Sequence, residues 1–462
     1  MNKKTKVVLL STVLASALAA AEAPKADLTA PTFSKAPYKY VKKSITADDG
    51  SLTGYLRVHH IFDDDANSEI GKTTGSTLGI GLGYGGEIAP GLKVGAEFYG
   101  VMDTGLTDEN VPAANIAYGQ FMTKYKNGNR LDTGSAFGAH IRYENEDYKI
   151  QLARSQYDSP LTNIVQITHV PNMYEYARVD TEILGGKASI GFINKMAYGS
   201  RSMADMSLIG EKTGTAGMYL SAVTPNLNAT PPIVRGRFYG IQDTLTAGST
   251  NSDGIFQVGY EKKKGMWQFS AWDQYVDDVA NNIYVQGSHK FPLGKGKAIK
   301  LSAHIWDQDI SNSTYETNYG GTLVGAEGLL KWGKFVGKIA YETKDKGGLL
   351  NAWGANPGYT SSIFSRNQYR GDVDAYKATF VYKPMKGLKL VASYADYGKS
   401  TMTTPGEGLA TDDATERDLV IVYMPKPNLS FKLFNANRVS ETNAAGNIRT
   451  MDHTRLIVNL NF

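Results

Sequence analysis

From Ser51 onward apolar side chains recur at every second residue, the period of a strand with one apolar face and not the 3.6-residue period of a helix. Leu52, Gly54, Leu56 and Val58 alternate with Thr53, Tyr55, Arg57 and His59, and Leu92, Val94, Ala96 and Phe98 with Lys93, Gly95, Glu97 and Tyr99. Leu429, Phe431 and Leu433 alternate with Ser430, Lys432 and Phe434 near the other end. Eighteen such segments start near Ser51, Ser76, Leu92, Ala136, Tyr148, Tyr174, Ala188, Ile255, Met266, Asn282, Ala298, Thr322, Phe335, Asp374, Leu388, Asp418, Leu429 and His453.

The connections carry a second regularity. After even-numbered segments they are short and turn-like, as at Leu184-Gly185-Gly186 and Trp332-Gly333-Lys334; after most odd-numbered segments they are long and polar, as in 103–134, 197–253, 344–373 and 396–416. The link at Val276 to Asn281 departs from this parity. Loops segregated in this way predict an all-β fold, a transmembrane antiparallel β-barrel of about 18 strands with short periplasmic turns and long outer loops. Lipid leaves an open sheet edge unsatisfied, so the sheet must close. The last segment ends on Phe462, in phase with Leu456, Val458 and Leu460, and resembles the C-terminal signal by which the barrel-assembly machinery recognises its clients.

The N-terminus predicts export. Lys3, Lys4 and Lys6 precede an apolar run from Val7 to Leu18 and small residues from Ala17 to Ala23, the layout of a cleaved signal peptide. The division is a signal peptide over 1–21, a periplasmic leader over 22–50 and the barrel over 51–462. Beyond residue 25 no apolar run is long enough for a spanning helix. Cleavage removes three lysines and takes the formal net charge from +4 to +1, which disfavours a nucleic-acid partner. With no cysteine, disulfides, thiolate zinc sites and thiol nucleophiles are excluded, and no cofactor is implied.

A barrel of 16 to 18 strands encloses water. The phase opposite the apolar residues then lines the lumen: Arg57, His140, Arg142, Lys149, Arg178, Lys195, Lys300, His304, Lys338, Lys377, Lys389, Lys432, Arg438 and Arg455, against few acids such as Glu97, Glu261 and Glu342. Lys93, Lys149, Lys300, Lys338, Lys389 and Lys432 lie beside the short turns and read as interfacial lysines whose heads snorkel to water. Arg57, Arg142, Arg178, Lys377, Arg438 and Arg455 read as pore-lining, where cationic rings favour anions. Arg154 falls in the outward phase after Leu152, so either a bulge turns it inward or its strand has ended.

The segment Arg154-Ser-Gln156-Tyr-Asp158-Ser159-Pro160-Leu161, with His169-Val-Pro171-Asn-Met173-Tyr174-Glu175 after it, resembles the OprD-type outer-membrane porins, which carry a Gly-Arg-Gln…Thr-Pro-Leu…Arg-x-x-Pro-x-Thr-Phe-Glu stretch where the third outer loop enters the pore. His169 stands where that family usually has arginine. The resemblance implies a constriction loop over about Tyr157 to Asn172, with Asp158, Ser159, Pro160, Leu161, His169 and Glu175 as its markers. It also implies a wall of Arg57, Arg142, Arg154, Arg178 and Lys195, opposed by Asp158, Asp180 or Glu175. The trimeric major porins of epsilon-class bacteria are a second resemblance, and monomer against homotrimer stays open.

Rival chemistry is poorly supported. Gly81-Leu-Gly83-Tyr-Gly-Gly86 matches a dinucleotide motif but alternates within a strand, with no helix to receive a pyrophosphate. Asp103-Thr-Gly105 and Asp132-Thr-Gly134 share one loop and offer no shared cleft. Asp63-Asp64-Asp65 lacks EF-hand spacing, although Ca²⁺ binding with outer loops or lipopolysaccharide-bridging ions is conceivable. The reading is an outer-membrane porin, not an enzyme, passing small hydrophilic solutes by passive diffusion through a basic pore that favours anionic or carboxylate solutes; lipid and lipopolysaccharide are its surroundings. An adhesin or structural barrel, and more remotely an outer-membrane enzyme, are the alternatives.

Overall fold

The computed structural model describes residues 49–65, 71–106, 124–126, 129–131, 133–162, 169–197, 236–245, 250–317, 319–350, 353–354, 357–399, 413–442 and 447–462. The expected signal peptide and nearly all of the expected leader lie outside the described residues.

Eighteen strands form one closed antiparallel barrel: β1 (Asp49–Asp65), β2 (Gly71–Ala89), β3 (Leu92–Asp103), β4 (Thr133–Glu144), β5 (Tyr148–Ser155), β6 (Met173–Ile183), β7 (Gly186–Ala197), β8 (Ile255–Lys264), β9 (Trp267–Val276), β10 (Ala280–Pro292), β11 (Lys297–Ile310), β12 (Gly321–Trp332), β13 (Phe335–Lys344), β14 (Val373–Tyr382), β15 (Leu388–Tyr397), β16 (Ala414–Lys426), β17 (Leu429–Thr442) and β18 (Asn447–Asn461). Each pairs with the next, and β18 returns to β1, with Arg57 opposite Asn459 and Ile61 opposite Arg455. Phe462 extends the closure by exchanging backbone hydrogen bonds with Gly54 at 2.8 and 3.0 Å.

The alternation read from the sequence is the alternation of faces. Leu152, Ile190, Phe256, Ile283, Leu301, Ile339, Phe380 and Leu419 stand exposed on the outer surface, while Arg57, Glu97, Gln257, Gln274, Asn282 and Glu342 are buried on the inner one. Exposed aromatics edge this apolar belt, Trp267, Trp332 and Phe335 towards the short turns and Tyr275, Tyr341, Tyr376 and Tyr394 towards the long loops. A continuous apolar band between aromatic girdles is a lipid-facing surface.

Short turns join the strands on one side; at Leu184 (φ 54°) and Gly185 (φ 69°) both residues are left-handed, as a two-residue hairpin turn requires. The parity exception is real. After β9 only Asp277, Asp278 and Val279 precede β10, and the Val279 carbonyl accepts from Ser311 N at 3.0 Å, tying this short link to its neighbour. The strand starts differ from the expected ones by a few residues, most at β18, which begins at Asn447 and not His453. Within 197–253, Phe238–Gly240 adds a short strand to the end of β7.

Candidate functional site

After β5 the chain turns into the lumen. Tyr157 is buried against Tyr174 and Tyr176 of β6, and at Gly191 of β7 any side chain would collide with its hydroxyl. Ser159 and Thr162 close a turn around Pro160 and Leu161, with Ser159 N donating to Thr162 O at 2.7 Å and Thr162 N to Ser159 Oγ at 2.9 Å. The Thr162 hydroxyl then accepts from Gln257 of β8 (2.6 Å) and Gln274 of β9 (2.8 Å), while Leu161 packs among Trp272, Trp306 and Leu323. On the far side His169 docks on β1 and β2: the Tyr55 hydroxyl donates to its carbonyl, Nε2 lies 2.7 Å from Thr77 Oγ1, and the ring is 4.3 Å from that of His59. Gly79 makes this possible, because a Cβ there would overlap the imidazole. The described ends of the segment thus stand on different walls, Leu161 and Thr162 on β8 and β9 and His169 on β1 and β2. Its residues 163–168 lie outside the described residues.

A second segment, unforeseen in the sequence, enters from the β13 to β14 connection. Glu342 of β13 accepts the backbone N–H groups of Tyr359 (2.5 Å) and Thr360 (3.2 Å) and the Thr360 hydroxyl. Glu416 of β16 accepts those of Phe364 (2.8 Å) and Ser365 (2.7 Å). Lys377 Nζ donates to Ser361 O (2.6 Å), Tyr397 to Thr360 O (2.6 Å) and Arg438 Nε to Ser365 Oγ (2.8 Å). The Tyr359 ring stacks on His304 at 4.2 Å. Trp353 reaches across: its carbonyl accepts from Tyr174 of β6 at 2.7 Å and its indole N–H donates to Thr244 at 3.2 Å. The signal available in the sequence was composition, since Leu349, Leu350, Trp353, Tyr359 and Phe364 are too apolar for a solvated loop.

Two of the expected wall residues, Arg154 and Lys195, are elsewhere. Arg154 lies within β5 in the outward phase, its side chain 54% exposed and paired with Glu175; the bulge that could have turned it inward falls between Glu175 and Tyr176 instead. That bulge places Lys195, 42% exposed, 3.5 Å from Glu175 on the same outer face, so Arg154, Glu175 and Lys195 form an external ion network and Glu175 belongs to β6, not to the constriction. Arg178 does point inward, but as an anchor: it donates to Asp180 (2.9 Å), to the Asp158 carbonyl (3.0 Å) and to Ser189 (3.1 Å), and lies 4.9 Å from the Tyr157 ring. The Asp158 side chain is exposed. Arg142 sits near the turn side, 3.5 Å from Glu144.

The remaining cations gather on one wall. Arg57 donates to Asn459 (2.9 Å), Arg455 lies 3.2 Å from His453 Nε2 and 5.3 Å from the Phe434 ring, and Lys432 lies 4.6 Å from that ring. Lys432, expected at the interface, is 3% exposed in the lumen instead, because its even-numbered strand positions face inward all along β17. Lys377 and Arg438 continue the wall at the second segment.

Burial holds the His169 imidazole well below its ordinary value, and Arg57 and Arg455 push it the same way. A docked His169 is therefore neutral, whereas an undocked one titrates near pH ~6.5. Docking is fully favoured above that value and loses ground as pH falls through it, because the undocked form binds the extra proton. Conductance in planar bilayers is expected to rise between about pH 7.5 and 5, and His169→Gln to flatten that dependence.

No family model and no curated protein sequence matches the chain. Solved structures do. OccK9 (OpdG) of Pseudomonas aeruginosa superposes with a TM-score of 0.67 at 15% identity, covering 89% of this chain and 98% of its own. OccAB4 of Acinetobacter baumannii gives 0.67 at 12% identity, covering 90% and 98%. OpdK of P. aeruginosa, solved with vanillate, gives 0.66 at 14% identity, covering 89% and 98%. At these identities the likeness is one of fold, and the fold is that of the OprD/Occ porins of the outer membrane.

Proposed function

We propose that this chain, exported by a signal peptide over 1–21 and followed by a leader to about residue 50, is an outer-membrane porin through which small hydrophilic solutes diffuse passively, with anionic and carboxylate solutes favoured. One observation carries the reading: two segments from opposite walls fold into a closed, polar-lined barrel and narrow it beside Arg57, Arg455, Lys432, Arg438 and Lys377. Acids of this lumen lie at the second segment, where Glu342 and Glu416 accept its N–H groups and Asp418 stands 3.9 Å from Lys377. A cationic lining lowers the barrier for anions. OpdK, with the same fold, binds vanillate, an aromatic carboxylate, which supports the same solute class here. C-terminal Phe462, seated against β1, fits recognition by the barrel-assembly machinery.

Planar-bilayer recording in a KCl gradient tests this. The expected result is discrete channels with an anion-selective reversal potential, moved towards zero by the double variant Arg57→Gln and Arg455→Gln. Absence of channels would favour an adhesin or structural barrel, and cation selectivity would overturn the basic-wall reading.

A further inference from the structure

The outer surface carries a furrow that packing within the chain does not explain. Where β12 to β16 meet lipid, small and large side chains alternate from strand to strand. In one row Gly328 faces Ile339, Ile339 faces Ala378, and Ala378 faces Tyr394. In the next row, two residues nearer the short turns, the order is reversed: Leu330 faces Gly337, Gly337 faces Phe380, and Phe380 faces Ala392. The small positions Gly328, Gly337, Ala378 and Ala392 therefore zigzag across four neighbouring strands. They form the floor of an open cavity of about 860 Å³.

The next position of the zigzag, on β16, is Arg417, opposite Tyr394. Arg417 is exposed, shares the outward phase of Leu419 and Ile421, lines the same cavity, and makes no ion pair among the described residues. A Cβ at Gly337 would meet nothing within 4 Å, and one at Gly328 only ordinary contacts at 3.7 and 3.8 Å, so neither glycine is needed to fit the barrel's own side chains.

The furrow also climbs. Gly328 lies seven residues from the loop-side end of β12 at Gly321, and Arg417 only three from the loop-side end of β16 at Ala414. Strand tilt carries the row from the middle of the apolar belt to its loop-side edge. Four strand spacings span about 19 Å, the reach of a fatty acyl chain. An arginine in the lipid-facing phase is costly at the bilayer centre and tolerated near the headgroups, where it meets phosphate.

The geometry points to a lipid subsite: one acyl chain of a phosphorylated glycolipid of the outer leaflet, lipid A, lies over Gly328, Gly337, Ala378 and Ala392, and its phosphate pairs with Arg417. The assignment rests on the porin reading only for placing the long loops towards the outer leaflet. Charge complementarity selects an anionic headgroup, and the direction of the climb selects the outer leaflet.

Native mass spectrometry of the purified, delipidated full chain, titrated with diphosphoryl lipid A, tests the subsite. Wild type should retain one saturable adduct. Arg417→Gln should lower its occupancy about fivefold, the effect of one cation at an anionic lipid surface. Ala378→Leu, which fills the furrow and leaves Arg417 in place, should lower it as well. Both substitutions face lipid and should leave bilayer conductance at the wild-type value, which separates failure of the subsite from failure of the channel. Wild-type retention by Arg417→Gln, or equal occupancy by phosphatidylglycerol, would overturn the assignment.

Discussion

Replacing Glu342 and Glu416 together by alanine is expected to raise single-channel conductance severalfold while the barrel still folds. Both carboxylates lie on the inner wall, and both direct their oxygens at backbone N–H groups of the segment joining β13 and β14. A hydrogen bond contributes about 0.5–1.5 kcal/mol net, and these two side chains accept five of them, so the pair supplies much of what holds that segment in the lumen. Removal leaves several N–H groups without acceptors where they stand, and the segment gains by moving out to water. The eighteen-strand ladder does not depend on those bonds, so heat-modifiable migration on gels should remain that of a folded barrel. Glutamine in place of either glutamate keeps one acceptor and should give a smaller rise. Unchanged conductance in the double alanine variant would mean that this segment does not set the pore's width.

The second large effect is expected from Gly79→Val. The His169 ring rests directly over Gly79, between Thr77 and His59, and even one added carbon would overlap it. Overpacking of a close-fitted site costs about 1–3 kcal/mol, here concentrated on the contact that fastens the first inward segment to β1 and β2. The segment should leave that wall, conductance should rise, and the pH dependence assigned to His169 should vanish with it. Ile80→Val, one residue away and facing lipid, is the control and should behave as wild type. A Gly79→Val channel with normal conductance and normal pH response would show that docking at this socket does not limit flow.

Much of the architecture was legible in the sequence because a strand wall obeys a local rule. Inward and outward phases follow from the period alone, and Arg57, Lys377, Arg438 and Arg455 are buried in the phase that their spacing gives. Lys195 departs from the phase its spacing gives, because the register pairs Glu175 with Lys195 but Tyr176 with Ile193, which makes Asn194 an extra residue in β7, and nothing nearby in the sequence marks it. Arg154 keeps the outward phase its spacing gives, against the wall position that the resemblance implies. The reach of the first segment into the lumen was suggested by resemblance around Pro160 and His169. The second had no such motif: its burial depends on Glu342 and Glu416, which are 74 residues apart and read like any other strand acid. Arg178 shows the same limit from the other side. Its inward direction followed from phase, but its role as an anchor depends on Asp158 and Ser189, contacts that only the closed barrel brings together.

The bond between the Tyr174 hydroxyl and the Trp353 carbonyl fastens the second segment to β6, in addition to its bonds with β13 and β16, so that segment is a strut braced on opposite walls and not a free flap. A strut held at both feet has few soft modes, and the aperture beside it fluctuates little. In electrical terms the open-channel current should be quiet, and excess noise should report the solutes that enter rather than the restlessness of the walls.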